Sequence, residues 1–274
     1  MSTRINHNVL SLAAQRNLQR TQFDMDKTVA RLSSGLRINK AWEDPAGLAI
    51  SEKFRSQIAS MDEAERNANY DMNLIDTAEG ALSIIDEMLI RMRALAVQSA
   101  NGALTDDDRS KLDLEFQQLK SEITRISEST NYNTKVLLDG SYSDEGIVFH
   151  IGPASSDNYS VAFSDMRVSA LGLSDGNLAT INGAQSAIDS VDDAISSKDN
   201  ERTRLGSYVE RLQHTVHNLQ ISRENATKSE SEIRDADIAA EMSTFVRGQI
   251  LSQSGVAMLT QANMVPQQMA GLIG

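Results

Sequence analysis

Residues 61–95, MDEAERNANYDMNLIDTAEGALSIIDEMLIRMRAL, carry an apolar side chain at every third or fourth position. The series is Met61, Ala64, Ala68, Met72, Ile75, Ala78, Leu82, Ile85, Leu89, Met92 and Leu95. It is one continuous stripe about five heptads long, and that length predicts coiled-coil packing rather than an ordinary surface helix. The helix has readable ends. Asp44-Pro45 offers an N-cap followed by proline at the first helical position, and Asn101-Gly102 breaks the pattern on the far side.

Working outward, Thr105 reads as the N-cap of the next helix. Asp106, Asp107 and Asp108 in its first turn suit the positive end of the helix dipole. Leu112, Phe116, Leu119, Ile123 and Ile126 form its stripe. Towards the N-terminus, Ile5, Val9, Leu12, Leu18, Met25, Val29, Leu32 and Leu36 fall at helical spacing, with Ser33-Ser34 and Gly35 interrupting or ending the helix. Residues 131–176 have a different character. Ile147, Phe149 and Ile151 alternate, as do Tyr159, Val161 and Phe163, with Gly152-Pro153 and Asp157-Asn158 between them, so β-hairpins are expected here. Helix returns with Ile181, Ala184, Ile188, Val191 and Ile195, then Leu205, Val209, Leu212, Val216 and Leu219. Lys198 and Arg202 occupy two stripe positions, where polar residues fix register at a cost in stability. The expected fold is mainly α: an elongated bundle of long coiled-coil-like helices, a small β-hairpin region in the middle of the chain, and paired N- and C-terminal helices.

Composition agrees with narrow helix–helix seams. Only 4% of the 274 residues are aromatic, and there are three prolines, one Trp and no Cys, which leaves little material for a wide core and none for a disulfide or a thiolate metal site. The net charge is −12. Residues 1–40 carry +5 and residues 230–274 carry −3, so the middle carries −14. An acidic middle argues against nucleic acid. No run of about 18 apolar residues predicts a membrane span. No apolar core with a cleavage site follows Met1, so a chain of this kind that leaves the cell does so by a route that reads no cleavable signal.

The end of the chain is the least ordinary part. From Gly248 to Gly274 there is no charged side chain, yet Ile250, Leu251, Val256, Met258, Leu259, Met264, Val265, Met269, Leu272 and Ile273 all lie there. Full burial of ten such side chains gathers about 15–30 kcal/mol gross, much of it offset by ordering. One alternative is a core helix of the same chain. The N-terminal helix is the one comparable partner, however, and two helices alone cannot cover both sets of apolar faces. Burial against neighbouring copies accounts for the tail better, with both ends expected to be disordered in the free subunit and to order on assembly.

These ends resemble bacterial flagellin. The N-terminal runs are Ile5-Asn6-His7-Asn8, then Leu32-Ser33-Ser34-Gly35-Leu36-Arg37-Ile38-Asn39, then Asp44-Pro45-Ala46-Gly47-Leu48-Ala49-Ile50. The C-terminal run is Ile233-Arg234-Asp235-Ala236-Asp237-Ile238-Ala239-Ala240-Glu241-Met242, and the uncharged tail from Gln267-Gln268 to Gly274 also fits. The resemblance implies a structural subunit, not an enzyme, that polymerises with itself into the extracellular filament of a bacterial flagellum for motility. It implies type III export with a chaperone, assembly under a cap and contact with hook-junction proteins, with no cofactor, nucleic acid or membrane insertion. It places residues 1–44 and 231–274 in an inner terminal-helix domain and 45–230 in an outer helical domain; only about 50 residues separate the helical halves, which leaves no room for variable outer domains. The polymerisation core would comprise Ile5, Val9, Leu12, Leu18, Leu32, Leu36, Ile238, Met242, Phe245, Ile250, Leu251, Val256, Leu259 and Leu272. Arg91, Leu95 and Glu115 match positions that a flagellin-sensing Toll-like receptor contacts, while Ile90 departs from the Gln usual beside them. The plainer reading of the same residues is that Leu95 belongs to the core stripe and Arg91 is a solvated charge. A hook–filament junction protein of the same superfamily is the alternative function.

Other signals weigh less. His214 and His217 stand at metal-compatible helical spacing without an evident third ligand. Asn158-Tyr159-Ser160 and Asn225-Ala226-Thr227 match a glycosylation pattern that is common by chance. The Asp106–Asp108 run is better explained by the helix dipole than by calcium.

Overall fold

The computed structural model describes the backbone of residues 7–273 and the side chains up to residue 268. Five helices and two short hairpins follow in the order α1 (Val9–Ser34), α2 (Pro45–Ser99), α3 (Asp106–Ser129), β1 (Asn131–Tyr132), β2 (Lys135–Val136), β3 (Ile147–His150), β4 (Asn158–Val161), α4 (Ile181–Arg234) and α5 (Ile238–Ile273). The chain divides into two compact units, residues 1–58 with 225–274, and residues 59–224.

The helices begin and end where local chemistry says they should. Asp44 Oδ1 accepts the Gly47 N–H at 2.8 Å, satisfying a donor of the first turn of α2. Thr105 and Asp108 form a reciprocal capping box at the start of α3. Gly35 closes α1 in the left-handed conformation, φ 71°, a geometry that penalises any residue with a Cβ.

In the unit of residues 59–224, α2 and α4 are antiparallel and α3 folds back on α2. Every residue of the 61–95 stripe except Met72 is buried, and Met72 packs against the core's edge. Phe116, Ile123 and Ile126 complete the core from α3, and Ala184, Val191, Leu205 and Leu212 from α4. Ile181, expected to open the α4 stripe, is exposed; the seam begins at Ala184 and runs on small residues through Ala187 and Ala194. The pairing of α2 and α4 is set by polar contacts along the seam. Arg93 reaches Asp192 (2.5 Å), Arg202 reaches Glu79 (2.6 Å), and Arg223 reaches Asp62 (2.5 Å) and Glu65 (2.8 Å). Lys198 is fully buried, bridging Asp86 and Asp199. Arg202 sits beside the seam instead of in it. Its neighbour Glu201 is the second buried charge, accepting the Ser164 N–H (3.1 Å) and pairing with Arg204 (2.6 Å).

The β segment is short. Hairpin β3–β4 pairs Ile147 with Val161 and Phe149 with Tyr159, with Ile147, Phe149 and Val161 turned into the core. Beyond the ladder Phe163 is still buried, while Ile151 is only half covered. The return to α4 is tied down by buried groups: Lys120 Nζ donates to the Ser174 carbonyl (2.8 Å) and Ser99 Oγ to the Leu178 carbonyl (2.7 Å). Arg109, almost wholly buried, donates to the carbonyls of Leu104 and Asn101 and so locks the turn between α2 and α3.

One group in this unit works against the fold at neutral pH. Asp71 is half-buried, and its Oδ2 has no hydrogen-bond partner. Burial pushes its carboxyl up to about 6, only partly opposed by the Lys135 charge. With the folded value raised, the stability this group contributes is complete below the ordinary carboxylate range and is lost as pH climbs through about 6. Asp71→Ala should therefore stabilise the unit by about 1–2 kcal/mol at pH 7.5, allowing for solvent on its exposed side. The gain should be clearly smaller at pH 4.5, inside the range where the penalty builds up, and melting curves at the two pH values test it. An equal shift at both would mean the carboxylate is not strained.

Candidate functional site: the outward faces of the terminal helix pair

In the other unit α1 and α5 lie antiparallel. Asn8 Nδ2 donates to the Ala262 carbonyl at 2.8 Å, and at the opposite end Arg31 Nη1 reaches Glu241 Oε1 at 2.9 Å. Between them, Gly255 meets Leu18 and Gly248 meets Met25; a Cβ at Gly255 would lie 3.2 Å from Leu18 Cδ1, so the close approach of the helices depends on that glycine. From Glu241 to Ala262 the residues that α5 half-covers are Glu241, Phe245, Gly248, Ser252, Gly255, Leu259 and Ala262, in alternating steps of four and three, and Val265 and Pro266 follow. Ser11, Ala14, Leu18, Thr21, Met25 and Leu32 do the same on α1, with Thr28 among them buried. This is a heptad seam made largely of small and hydroxyl side chains.

Apart from Leu18, Met25, Leu32, Phe245 and Leu259, most of the large apolar residues are turned away from that seam. Val9, Leu10, Leu12, Phe23 and Val29 on α1 are exposed, as are Ile238, Met242, Val246, Ile250, Leu251, Val256, Met258 and Met264 on α5. Most of these are near half exposed, so completing their burial is worth about 1 kcal/mol each, or on the order of 10 kcal/mol gross for the set. This many exposed large apolar side chains on one helix pair marks an interaction surface.

The residues expected to form the polymerisation core therefore divide in two. Val9, Leu12, Ile238, Met242, Ile250, Leu251 and Val256 face outward, whereas Leu18, Leu32, Phe245 and Leu259 are half-covered in the seam. Leu36 lies past the end of α1, in a bridge with Asp235. Ile5 and the Leu272 side chain fall outside the described residues. That bridge explains what the two end motifs do locally. Arg37 N–H donates to the Arg234 carbonyl (2.7 Å), Ala236 N–H to the Gly35 carbonyl (2.9 Å), and the Arg37 guanidinium to the Ile233 carbonyl (2.5 Å). Asp237 then caps α5 through the N–H groups of Ala239 and Ala240.

Of the three receptor-position residues, the fold brings two together. Arg91 Nε donates to Glu115 Oε1 at 2.7 Å, and both side chains are about half exposed. Leu95 is only 1% exposed, inside the core. His214 stands in solvent beside Glu210 (3.9 Å), and no group of three metal-ligating side chains occurs among the described residues. Asp106 to Asp108 begin α3, with Asp108 in the capping box.

A pair of helices that closes on itself largely with small and hydroxyl residues and turns most of its bulky apolar ones outward defines a helical structural subunit built to pack against other protein. The family follows from sequence. Residues 5–143 match the bacterial flagellin N-terminal helical region and residues 188–273 the bacterial flagellin C-terminal helical region. The chain belongs to the bacterial flagellin family. It is 42% identical to a flagellin of Halalkalibacterium halodurans and 41% identical to the flagellar filament core protein flaB2 of Brachyspira hyodysenteriae, in each case over 98% of this chain and 99% of the relative. The crystal structure of Bacillus cereus flagellin, 34% identical, superposes with a TM-score of 0.51 over 56% of this chain and 88% of that one.

Proposed function

We propose that the outward faces of α1 and α5 are the surfaces through which copies of this chain pack into a flagellar filament. The chain is a structural subunit of that filament, outside the cell, and it polymerises with itself. The observation that carries the assignment of surface is the exposure of Ile250, Leu251, Val256 and Met258 in a stretch with no charge from Gly248 onward. Such a surface is stable in water only when another apolar surface covers it. On this reading residues 1–44 and 231–274 form the inner layer of the filament and 45–230 the outer one, and the helical ends hold the structure's α1–α5 pairing in the assembled state. The subunit performs no catalysis. It leaves the cell unfolded through the flagellar export apparatus with its chaperone, is added beneath a cap and abuts the hook-junction proteins. A flagellin-sensing receptor would read the Arg91–Glu115 pair, with Leu95 supporting α2 from beneath.

Negative-stain microscopy of purified subunit, seeded with filament fragments or treated with a precipitating salt, tests the assignment. Long uniform filaments are expected. Short rings would move the assignment to a hook–filament junction protein, and monomer alone at high concentration would defeat self-assembly.

A further inference from the structure

Trp42 is the chain's single tryptophan, and 59% of it is exposed. It is not on a loose loop. Ile38, four residues before it, is buried, the Asn39 N–H donates to Glu43 Oε2 (2.9 Å), and the Glu43 N–H donates to the Lys40 carbonyl (3.0 Å). Glu43 also pairs with Lys27 of α1 (3.8 Å), whose ammonium lies 5.6 Å from the centre of the Trp42 ring. The Phe23 ring, again 59% exposed, is 6.4 Å from the indole and tilted 31° to it. Two large rings are thus held side by side in water, beside a depression of about 180 Å³ that Ala30 and Asn39 help to line.

We infer that the Trp42–Phe23 platform receives a second copy of this chain, through the exposed aliphatic face of the copy's α5 around Val246, Ile250 and Leu251. This rests on the filament reading above and adds the contact. Three observations select the occupant. Phe23 shares its outward helical face with Val9 and Leu12, with the exposed Arg16, Gln19 and Arg20 between them, so the platform looks to the same side of α1 as apolar residues already assigned to packing between copies. Lys27 and Glu43 pair with each other and the bordering Asp26 and Lys40 carry one charge of each sign, so the platform's charges balance and favour no charged partner. Val246, Ile250 and Leu251 provide the matching aliphatic surface, and the subunit's own α5 leaves Trp42 open while paired with α1.

Because Trp42 is the only tryptophan, its emission reports the contact directly. In dilute subunit the emission should be that of a water-exposed indole, readily quenched by acrylamide. In sedimented filaments it should shift to the blue, with quenching reduced several-fold. Trp42→Ala should raise the critical concentration for assembly at least tenfold with an unchanged circular dichroism spectrum, and Trp42→Phe should recover most of the loss. Filaments whose Trp42 emission and quenching match the free subunit would overturn this contact and leave the filament reading standing. Shielding of Trp42 in subunit too dilute to assemble would place the occupant in the same chain and overturn it as well. If the parent chain forms no filaments at all, both readings fall.

Discussion

Ile250→Asp together with Leu251→Asp should give a subunit that folds as the parent does and forms no filaments. Both side chains are more than half exposed, and neither belongs to the α1–α5 seam, so the change should leave that pair and the unit of residues 59–224 alone. In a filament the same atoms lose water, and a carboxylate buried without a partner costs several kcal/mol. Two of them in each subunit raise the critical concentration by about a thousandfold or more, beyond workable protein concentrations. Sedimentation after seeding measures the assembly, and thermal melting followed by circular dichroism measures the fold. The seam offers the contrasting variant. Leu259→Asp puts its charge between α5 and α1, so it should loosen the terminal pair as well as block assembly. If Ile250→Asp/Leu251→Asp still makes normal filaments, the outward face of α5 is not where copies meet.

The contrast between those two variants also marks how far the sequence could be read. Helix ends were legible at Asp44, Thr105 and Gly35 because capping is local chemistry and needs no tertiary information. The long stripe was legible because from Met61 to Leu95 most apolar residues fall on one face, with Tyr70, Ile84 and Ile90 as the large exposed exceptions. On α5 the same reasoning runs out. Its apolar residues lie all round the helix, so periodicity identifies no inner face, and the seam that forms is marked by Gly248, Ser252, Gly255 and Ala262, residues with little hydropathy signal of their own. Phe245 lies in that seam while its neighbour Val246 is exposed, a difference of one residue that hydropathy cannot resolve. Leu95 fits both a receptor position and the core stripe, and its 1% exposure identifies it as core. On α4 the polar interruption was visible, but whether Glu201 or Arg202 turns inward depends on the backbone of Ser164, which packs there from 37 residues away. Trp42 was passed over because its meaning lies in its neighbours across the chain, Phe23 and Lys27, and not in its own run.

The buried ammonium of Lys198 leads to the second large effect, in the unit of residues 59–224. Lys198→Met should lower that unit's stability by about 3 kcal/mol and its melting temperature by about 6–12 °C. The side chain is only 2% exposed, and its Nζ bridges Asp86 of α2 and Asp199 of its own helix, the latter at 2.6 Å. Burial alone would lower the lysine's affinity for its proton, but the hydrogen bonds to Asp199 and Asp86 hold it above the ordinary value. A raised folded value means the contribution is complete below the ordinary lysine range and is lost only as pH rises beyond it, so the penalty in Lys198→Met should be the same at pH 6 and pH 8. Most of the cost comes from what is left behind: Asp86, with a quarter of its side chain exposed, would face the helix seam without a partner. Lys198→Met combined with Asp86→Leu should therefore regain most of the lost stability, since an apolar pair of similar volume packs where the ions stood. The double variant would still lack the buried one among the contacts that make a shifted pairing of α2 and α4 costly. Its regained melting temperature should come with a broader transition, because the small-residue seam of Ala187, Val191 and Ala194 penalises a slip only weakly. A double variant as unstable as Lys198→Met would mean that the ion pair itself stabilises the fold, and a sharp transition at the parent's temperature would mean that register is set by the ion pairs from Arg93, Arg202 and Arg223 alone.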